Sequence, residues 1–483
     1  MNAEWTADRL AADFRKLGLA RGDRVLLHSS LASLGRVAGG APTVVQALLD
    51  TLGPDGTLAV PAFGNLGVIP QALQERPDAV TSIHPLAAVA AVGRDAEALC
   101  RDHWKAELAH GDNTPYTRLA ALNGWVLLLG VDQDRNTTLH TAEALLRLPY
   151  LTRTAEKTFD TPEGPVTRAW PFFPGPHRDF IGIDPLLRAS GKMIVGRVGN
   201  AVARLIRSRD LIDLLTAEGA RNPAWALCDN PACADCVRQR AALRRARLAR
   251  EPFRLAAGAR LAGRYVPEMI ERLQAAGLDA VELDWIQGRP AAGLADKPLA
   301  DAVAAFQQAG IAVSALRAFA VGQDDTALPA RARAAGIGRI VLPLSHRAAG
   351  TARAAAEAGV EVAFANAGMT ADAVSDLLLA LDQEGLYPRF VFDAAAFARA
   401  GEKPFLVSYK RKLRRYVDQL DVADARFDGV PTPLAEGNAE IKEMLSILRC
   451  ARFAGWCVLT ALPPPPEAVE AACGRLVALL DRM

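Results

Sequence analysis

The sequence has 483 residues, of which 51% are hydrophobic, 23% charged and 6% aromatic, a make-up that excludes disordered, collagen-like and coiled-coil chains. At roughly 100–200 residues per domain it is too long for one small module. Lys+Arg of 56 against Asp+Glu of 54 leaves +2, so bulk charge gives no reason to expect nucleic acid or an anionic membrane as partner.

Seven scattered cysteines do not form the framework of a disulfide-stapled secreted domain and fit a reducing cytoplasm. Glu4, Asp8, Arg9, Asp13, Arg15 and Lys16 interrupt the apolar stretch a signal peptide would need. Apolar runs such as 125–129 and 340–344 are of strand length, far short of the ~20 residues of a membrane-spanning helix. A cytoplasmic chain without membrane segments is expected, and nothing in it sets the oligomeric state.

From the N-terminus, strand-like runs at 24–28, 57–61 and 124–130 alternate with helical stretches at 42–52 and 138–148. Turn chemistry feeds the first two strands: Gly22-Asp23 in one case, Pro54-Asp55-Gly56 in the other. A basic stretch at 238–250, with Leu243 and Leu248 between arginines at helical spacing, reads as a solvated helix face and not as a nucleic-acid patch. It separates an α/β domain over 1–250 from a different pattern over 251–483. There, short apolar runs begin near Phe253, Ala280, Ala312, Arg339, Val360, Arg389, Val417 and Gly455, with alanine-rich amphipathic segments between most of them. Eight strands alternating with helices predict a (β/α)8 TIM-type barrel, with a doubly wound open sheet as the alternative.

Three segments carry candidate chemistry. The run Leu26-Leu-His-Ser-Ser-Leu-Ala-Ser-Leu-Gly-Arg-Val-Ala-Gly-Gly40 ends a strand in hydroxyls and glycines just before a helix. Such a place leaves backbone N–H groups and a positive helix end free for an anion, although it is equally readable as a structural turn. In Asn136-Thr-Thr-Leu-His-Thr-Ala-Glu143, His140 and Glu143 lie three apart at a helix start and share one face. An adjacent carboxylate orients an imidazole and raises its basicity, making it a candidate base; a plain surface hydrogen bond is the other reading. Cys228, Cys233 and Cys236 form a CxxxxCxxC pattern that would hold zinc if a fourth ligand, such as Cys100 or a histidine, arrived from elsewhere, and would otherwise be loop thiols.

The first half resembles the aminoglycoside 3-N-acetyltransferases, or antibiotic N-acetyltransferases. The resemblance rests on five segments in order: LLHSSLASLGRVAGGAPTVVQALLDTLGPDGTLAVPAF (26–63), HPLAAVAAVG (84–93), GDNTPYTRL (111–119), VLLLGVDQDRNTTLHTAEALLRLPY (126–150) and VGNAVARLIRSRDLID (198–213). It implies direct transfer of an acetyl group from acetyl-CoA to a small-molecule amine, with a histidine as base. Position by position, His140 takes the place of the catalytic histidine and Glu143 that of its carboxylate. Thr138 matches a hydroxyl near the thioester, and Asp112 falls in the active-site loop. Ser29, Ser30, Arg36, Gly39 and Gly40 match the cofactor cradle, joined by Thr114, where the family usually has serine. The resemblance favours amine acetylation over any one aminoglycoside, because the first half shows few acidic residues for a polycationic acceptor beyond Asp112, Asp132, Asp134 and Glu143.

The second half is similar to xylose isomerase-like sugar-phosphate isomerase/epimerase barrels, on Ala280-Val-Glu-Leu-Asp284, Phe390-Val-Phe-Asp393, 433–441 and Gly455-Trp-Cys-Val-Leu459. That resemblance implies a divalent metal at the C-terminal strand ends. Here Ala365 and Asp421 stand where glutamate and histidine ligands would be expected, and His346 is the half's single histidine. A cation site from Glu282, Asp393, Asp421 and Asp424 is conceivable, and a metal-free barrel with a degenerate site is the favoured expectation. Two other readings stay open: a tailoring acyltransferase whose barrel works as an isomerase or epimerase, and a non-catalytic CoA-binding sensor or scaffold.

Overall fold

The computed structural model describes residues 4–153, 156–172, 177–319, 325–462 and 465–483. The chain divides into two compact units, Met1–Gln239 and Arg240–Met483. The division falls inside the basic helix Ala234–Leu248, a few helix turns before the expected border at 250. Among the described residues no helix is long and apolar enough to cross a membrane.

The first unit is built on a seven-stranded sheet: β1 (Arg24–Ser29), β2 (Thr57–Pro61), β3 (Val80–Thr81), β4 (Val89–Gly93), β5 (Trp125–Leu129), β6 (Met193–Val198) and β7 (Ala201–Arg207), in the order β6-β7-β5-β1-β2-β4-β3. The centre, β5-β1-β2, is parallel, while β7 and β4 join antiparallel. Parallel strands are covered on both faces and read as unbroken apolar runs, as Trp125-Val-Leu-Leu-Leu129 does; all five residues are buried.

Alternation along these strands sorts their side chains between the two layers. Val25, Leu27, Leu127 and Leu129 pack with helices α1 (Ala7–Leu17) and α2 (Ala41–Leu52). Leu26 joins one cluster on the opposite face, and Val126 and Leu128 join another that contains Leu139 and Ala142. His28 pairs in register with Leu128, so it belongs to the face that carries the helix starting at Leu139. Helix α1 buries Leu10, Ala11, Phe14 and Leu17 and stops at Gly18 with φ +121°, a conformation that costs glycine little.

The second unit is a closed barrel of eight strands: β8 (Arg254–Gly258), β9 (Ala280–Leu283), β10 (Ala312–Arg317), β11 (Arg339–Pro343), β12 (Glu361–Ala365), β13 (Arg389–Asp393), β14 (Val417–Val422) and β15 (Trp456–Leu459). Every neighbouring pair is parallel, and β15 closes on β8. Each start lies within a residue of the sequence expectation. The helix Ala348–Ala358 shows why the alanine-rich stretches fold: it is rich in the best helix former, buries Ala348, Thr351, Ala352 and Ala355 at helical spacing, and ends on Gly359 at φ +65°. Small residues fill the barrel: Ala315, Val341, Ala363 and Val391 pack in one layer, Ala256, Ala280 and Val458 in another.

Candidate active site

Helix α3 (Leu139–Leu145) presents its polar pair from the covered face of the sheet. It stops earlier than the expected residue 148, because Arg147 turns left-handed at φ +49° and Pro149 disfavours helical backbone at Leu148. His140 and Glu143 meet as their spacing predicts: His140 Nδ1 lies 2.7 Å from Glu143 Oε2. The imidazole retains 17% side-chain exposure while the carboxylate has 1%.

A buried carboxylate needs partners, and Glu143 has three donors. Besides the imidazole, Tyr150 OH donates to Oε1 at 2.8 Å and Arg178 Nε donates to the same oxygen at 2.6 Å. Burial pushes the Glu143 pKa up, but the hydrogen bond and charge of His140 and the Arg178 guanidinium outweigh it and hold the carboxyl below its ordinary range. Glu143 therefore stays ionised at neutral pH and fixes the ring beside it. Tyr150 and Arg178 were not singled out in the sequence; Tyr150 closes the matched segment 126–150, but nothing local marks Arg178 as the partner of a glutamate 35 residues earlier.

Aromatic neighbours wall the ring. Phe180 and His110 have centroids 4.9 and 5.3 Å from that of His140. His110 is buried, and burial first, then the neighbouring histidines, drive its pKa far below 6.5. The other histidines of this face are held neutral in the same way: burial takes His28 and His84 to about 3 and His103 to about 4.

At Thr137, two residues before this helix begins, lies a cavity of about 230 Å³ whose lining includes His28, Ser29, Asn65, Arg135 and Thr137 but not His140 or Glu143. Thr137 Oγ1 and His28 Nε2 are 3.5 Å apart. In the turn that leads into the helix, Thr137 lines the cavity and Thr138 does not. The Thr138 side chain is fully buried and its hydroxyl has no hydrogen-bond partner among the described residues.

The remaining expected residues fall in different places. Ser29 ends β1 at the cavity with its Oγ buried and unpartnered, and the Ser30 amide is bonded to Leu129 O. Gly39 and Gly40 have φ of +75° and +68° and lead into α2, whose N-cap, Gly40, offers no side-chain cap. A Cβ at Gly39 would stand 2.6 Å from Thr43 Oγ1, whereas one at Gly40 would meet nothing within 4 Å. Arg36 is exposed and ion-paired with Glu4. Asp112 is exposed in its loop. Thr114 is buried and caps the helix Pro115–Ala121, its hydroxyl donating to Gly111 O at 2.7 Å; in this structure that hydroxyl is used internally and does not line the cavity.

The cysteine segment closes on itself. Cys228, Cys233 and Cys236 gather around His177, their sulfurs 3.9, 3.3 and 3.2 Å from its Nδ1. Cys100, the other partner considered, instead has its sulfur 3.3 Å from Val80 O and 3.5 Å from Val89 O.

In the barrel, two of the four carboxylates considered for a hard cation, Glu282 and Asp421, surround a guanidinium. Arg317 Nε donates to Glu282 Oε1 at 2.5 Å and its NH2 to Asp421 Oδ1 at 2.9 Å. Gln419 Nε2 bridges the same two acids at 2.9 and 2.8 Å. Two buried carboxylates share one guanidinium, so burial, opposed by Arg317 and reinforced by Glu282 and Asp393, raises Asp421 to about 7. The other proposed ligands are committed to backbone: Asp393 caps a helix through Ala396 N, and Asp424 accepts from Ala425, Gly437 and Ala439. Of the four acids, Glu282 and Asp421 thus sit in an internal ion-pair network, and Asp393 and Asp424 in hydrogen bonds to backbone. The cavity at this end of the strands, beside Val422 and Asp424, holds about 20 Å³, far below the ~300 Å³ of small-molecule sites.

Comparison with known proteins agrees with the first unit. The sequence model of the family described as aminoglycoside 3-N-acetyltransferase matches residues 26–66 and 64–218. Aminoglycoside N(3)-acetyltransferase VII of Streptomyces paromomycinus is 35% identical over 264 residues, covering 43% of this chain and 89% of the relative. Aminoglycoside N(3)-acetyltransferase IV of a Salmonella species is 32% identical over 241 residues, 46% of this chain and 90% of the relative. A solved structure described as AAC-IIIb binary with CoASH aligns with TM-score 0.43 at 28% identity, covering 45% of this chain and 98% of that one. With about nine-tenths of the two curated relatives spanned at more than 30% identity, the chain belongs to the aminoglycoside 3-N-acetyltransferase family of CoA-dependent N-acetyltransferases.

Proposed function

We propose that the first unit transfers the acetyl group of acetyl-CoA to an amine of an aminoglycoside or related amino sugar, in the manner of resistance acetyltransferases, with His140 as general base. The observation that carries this reading is the 2.7 Å contact between His140 Nδ1 and Glu143. An ionised Glu143 accepts the Nδ1 proton, which leaves Nε2 as the basic nitrogen of the ring. His140 takes a proton from the amine as its nitrogen attacks the thioester carbonyl; the C–N bond forms, the C–S bond breaks, and the proton held by His140 passes to the departing thiolate. Base catalysis of this kind contributes about 10²–10⁴-fold.

Acetyl-CoA is the co-substrate of this reaction, and the residues at the start of α2 suit its phosphates. The two glycines lead with positive φ into a helix N-terminus that has no side-chain cap, and the positive end of that helix suits an anion; Ser29, Ser30 and Arg36 border the same segment. We assign the hydroxyl donor near the carbonyl to Thr137 in preference to Thr138, because Thr137 lines the cavity. Asp112, exposed in its loop, is a candidate contact for a cationic acceptor. Dependence on acetyl-CoA puts the reaction in the cytoplasm.

We infer further that the second unit is a TIM-type barrel of the isomerase/epimerase kind whose centre no longer holds metal, since Arg317 supplies the positive charge a cation would bring. Its role is then in presentation or assembly, not isomerisation. The test is thiol release from acetyl-CoA with a panel of aminoglycosides and simple amines, comparing the parent with His140→Ala. A fall of about 10²-fold or more is expected. A variant as fast as the parent removes His140 from the reaction, and tight CoA binding without turnover on any amine favours the sensor reading.

A further inference from the structure

A loop and the first turn of the helix that follows it carry three cysteines, and a fourth group reaches them from about fifty residues upstream. Cys228 lies in the loop after the helix Ser208–Arg221; Cys233 immediately precedes the helix Ala234–Leu248, and Cys236 lies in its first turn. The ligand atoms of these residues and His177 all lie within 4.8 Å of one another. Zinc–sulfur bonds of about 2.3 Å and zinc–nitrogen bonds of about 2.0–2.1 Å at tetrahedral angles put such atoms about 3.5–3.8 Å apart. The three sulfur–Nδ1 separations, 3.2, 3.3 and 3.9 Å, bracket that value.

Hydrogen bonding alone does not account for the convergence. A neutral imidazole nitrogen has one lone pair and accepts one proton, yet three sulfurs crowd the same Nδ1. None of the cysteines is in a disulfide. A shared cation satisfies all four groups at once, and a tetrahedral set of three thiolate sulfurs and one imidazole nitrogen selects zinc.

The backbone around the cluster is also prepared. His177 N approaches Asp235 Oδ2 at 3.4 Å, and Gln239 Nε2 approaches His177 O at the same distance. The same carbonyl accepts from Arg178 NH1 at 2.9 Å. Arg178 is the residue whose Nε holds Glu143, so the cluster lies one residue from the support of the His140–Glu143 pair.

We propose that His177 Nδ1 and the thiolates of Cys228, Cys233 and Cys236 bind one structural zinc ion, and that this metal anchors Arg178 as a positioning residue for Glu143. The ligand set stands independently of the proposed acetyl transfer; the effect on Glu143 rests on it. Binding converts three thiols to thiolates and releases their protons, with no change of oxidation state.

The test uses the full chain purified under reducing, chelator-free conditions. Elemental analysis is expected to find about one equivalent of zinc per chain. Replacing it with Co²⁺ should give thiolate-to-cobalt charge-transfer absorption and the intense visible bands of a tetrahedral site. His177→Ala and Cys228→Ser should each weaken metal binding at least tenfold, while Cys450→Ser, at an exposed cysteine outside the cluster, should leave it unchanged. A parent protein that takes up neither ion, with Cys228, Cys233 and Cys236 reacting with a thiol reagent regardless of added zinc, overturns the site. A His177→Ala variant with the parent's cobalt spectrum and affinity overturns the fourth ligand. Stripping zinc should lower kcat with little change in KM for acetyl-CoA, and re-addition should restore it; equal kcat in both states overturns the link to Glu143.

Discussion

Replacing Glu143 with glutamine keeps the shape of the side chain and removes its charge, which separates two consequences of the network around it. All three groups that meet this carboxylate, His140 Nδ1, Tyr150 OH and Arg178 Nε, approach as donors. A glutamine has one accepting end only. If its oxygen serves Tyr150 and Arg178, its NH2 faces His140 Nδ1, which then has to accept and so places the ring proton on Nε2. The nitrogen meant to take a proton would already carry one. An Asp→Asn change behind the catalytic histidine of a serine protease lowers kcat about 10⁴-fold for this reason, and a fall of about 10²–10⁴ is expected here.

The second consequence is stability. Arg178 has 2% side-chain exposure, and breaking a buried pair from one side typically costs about 3–5 kcal/mol, a large part of the ~5–15 kcal/mol that holds a domain together. Because Glu143 is held below its ordinary value of 4.5, its contribution is complete above that value and is lost as pH falls through the lower folded pKa. The gap between parent and Glu143→Gln should be widest near neutrality and close in acid. Urea unfolding followed by tryptophan fluorescence reads it, since Trp5, Trp104, Trp125, Trp170 and Trp225 all lie in the first unit. A variant with kcat within about threefold of the parent (under ~1 kcal/mol) and an unchanged unfolding midpoint at neutral pH would refute the assignment of Glu143 as an ionised, orienting carboxylate.

The remaining predictions concern single contacts. Gly39→Ala and Gly40→Ala should each destabilise, for different reasons: a Cβ at Gly39 meets Thr43 Oγ1 at 2.6 Å, while Gly40, at φ +68° and ψ −140°, holds a backbone conformation essentially confined to glycine that costs other residues about 1–3 kcal/mol; a variant at either position with the parent's thermal midpoint would contradict the geometry. Tyr150→Phe removes one hydrogen bond to a charged acceptor and should destabilise by about 1.5–3 kcal/mol, read by the same urea curves, with kcat falling less than in Glu143→Gln. In the barrel, Arg317→Met leaves Glu282 and Asp421 without their cation and should cost about 3–5 kcal/mol; a variant as stable as the parent would show the network to be idle. Asp421, raised from 3.8 to about 7, binds its proton more tightly folded than unfolded, so its stabilising contribution is full at low pH and is lost as pH rises through about 7. Asp421→Asn should therefore flatten that part of the barrel's pH–stability curve.

The architecture was legible wherever an element depends on its own residues. Trp125–Leu129 is apolar throughout because a central parallel strand is covered on both sides, and that same property makes it stand out in the sequence. The eight barrel strands were found by the regular return of short apolar runs between alanine-rich helices. Boundaries were less legible where a single residue's backbone decides them: the left-handed Arg147 ends α3 early, and no local composition announces it. The unit border inside Ala234–Leu248 likewise escaped, because a continuous helix gives no break in pattern.

The site shows the same division more sharply, for a physical reason. His140 and Glu143 were readable because a helix brings residues three apart together without help from the rest of the fold. The three cysteines were readable because metal-ligand spacing is local. What completes each constellation comes from far along the chain: Arg178 reaches Glu143 across 35 positions, His177 reaches Cys236 across 59, and Arg317 reaches Asp421 across 104. In every case the locally visible groups are acids or thiols with unmet demands, and the distant residue is what meets them. A buried carboxylate or a set of thiols therefore states in the sequence that a positive partner exists, but only the fold can say whether that partner is an arginine, as at Glu143 and Glu282, or a metal, as proposed for Cys228, Cys233 and Cys236. In the barrel the distinction is visible: Glu282 and Asp421 surround a positive charge, and it is the guanidinium of Arg317.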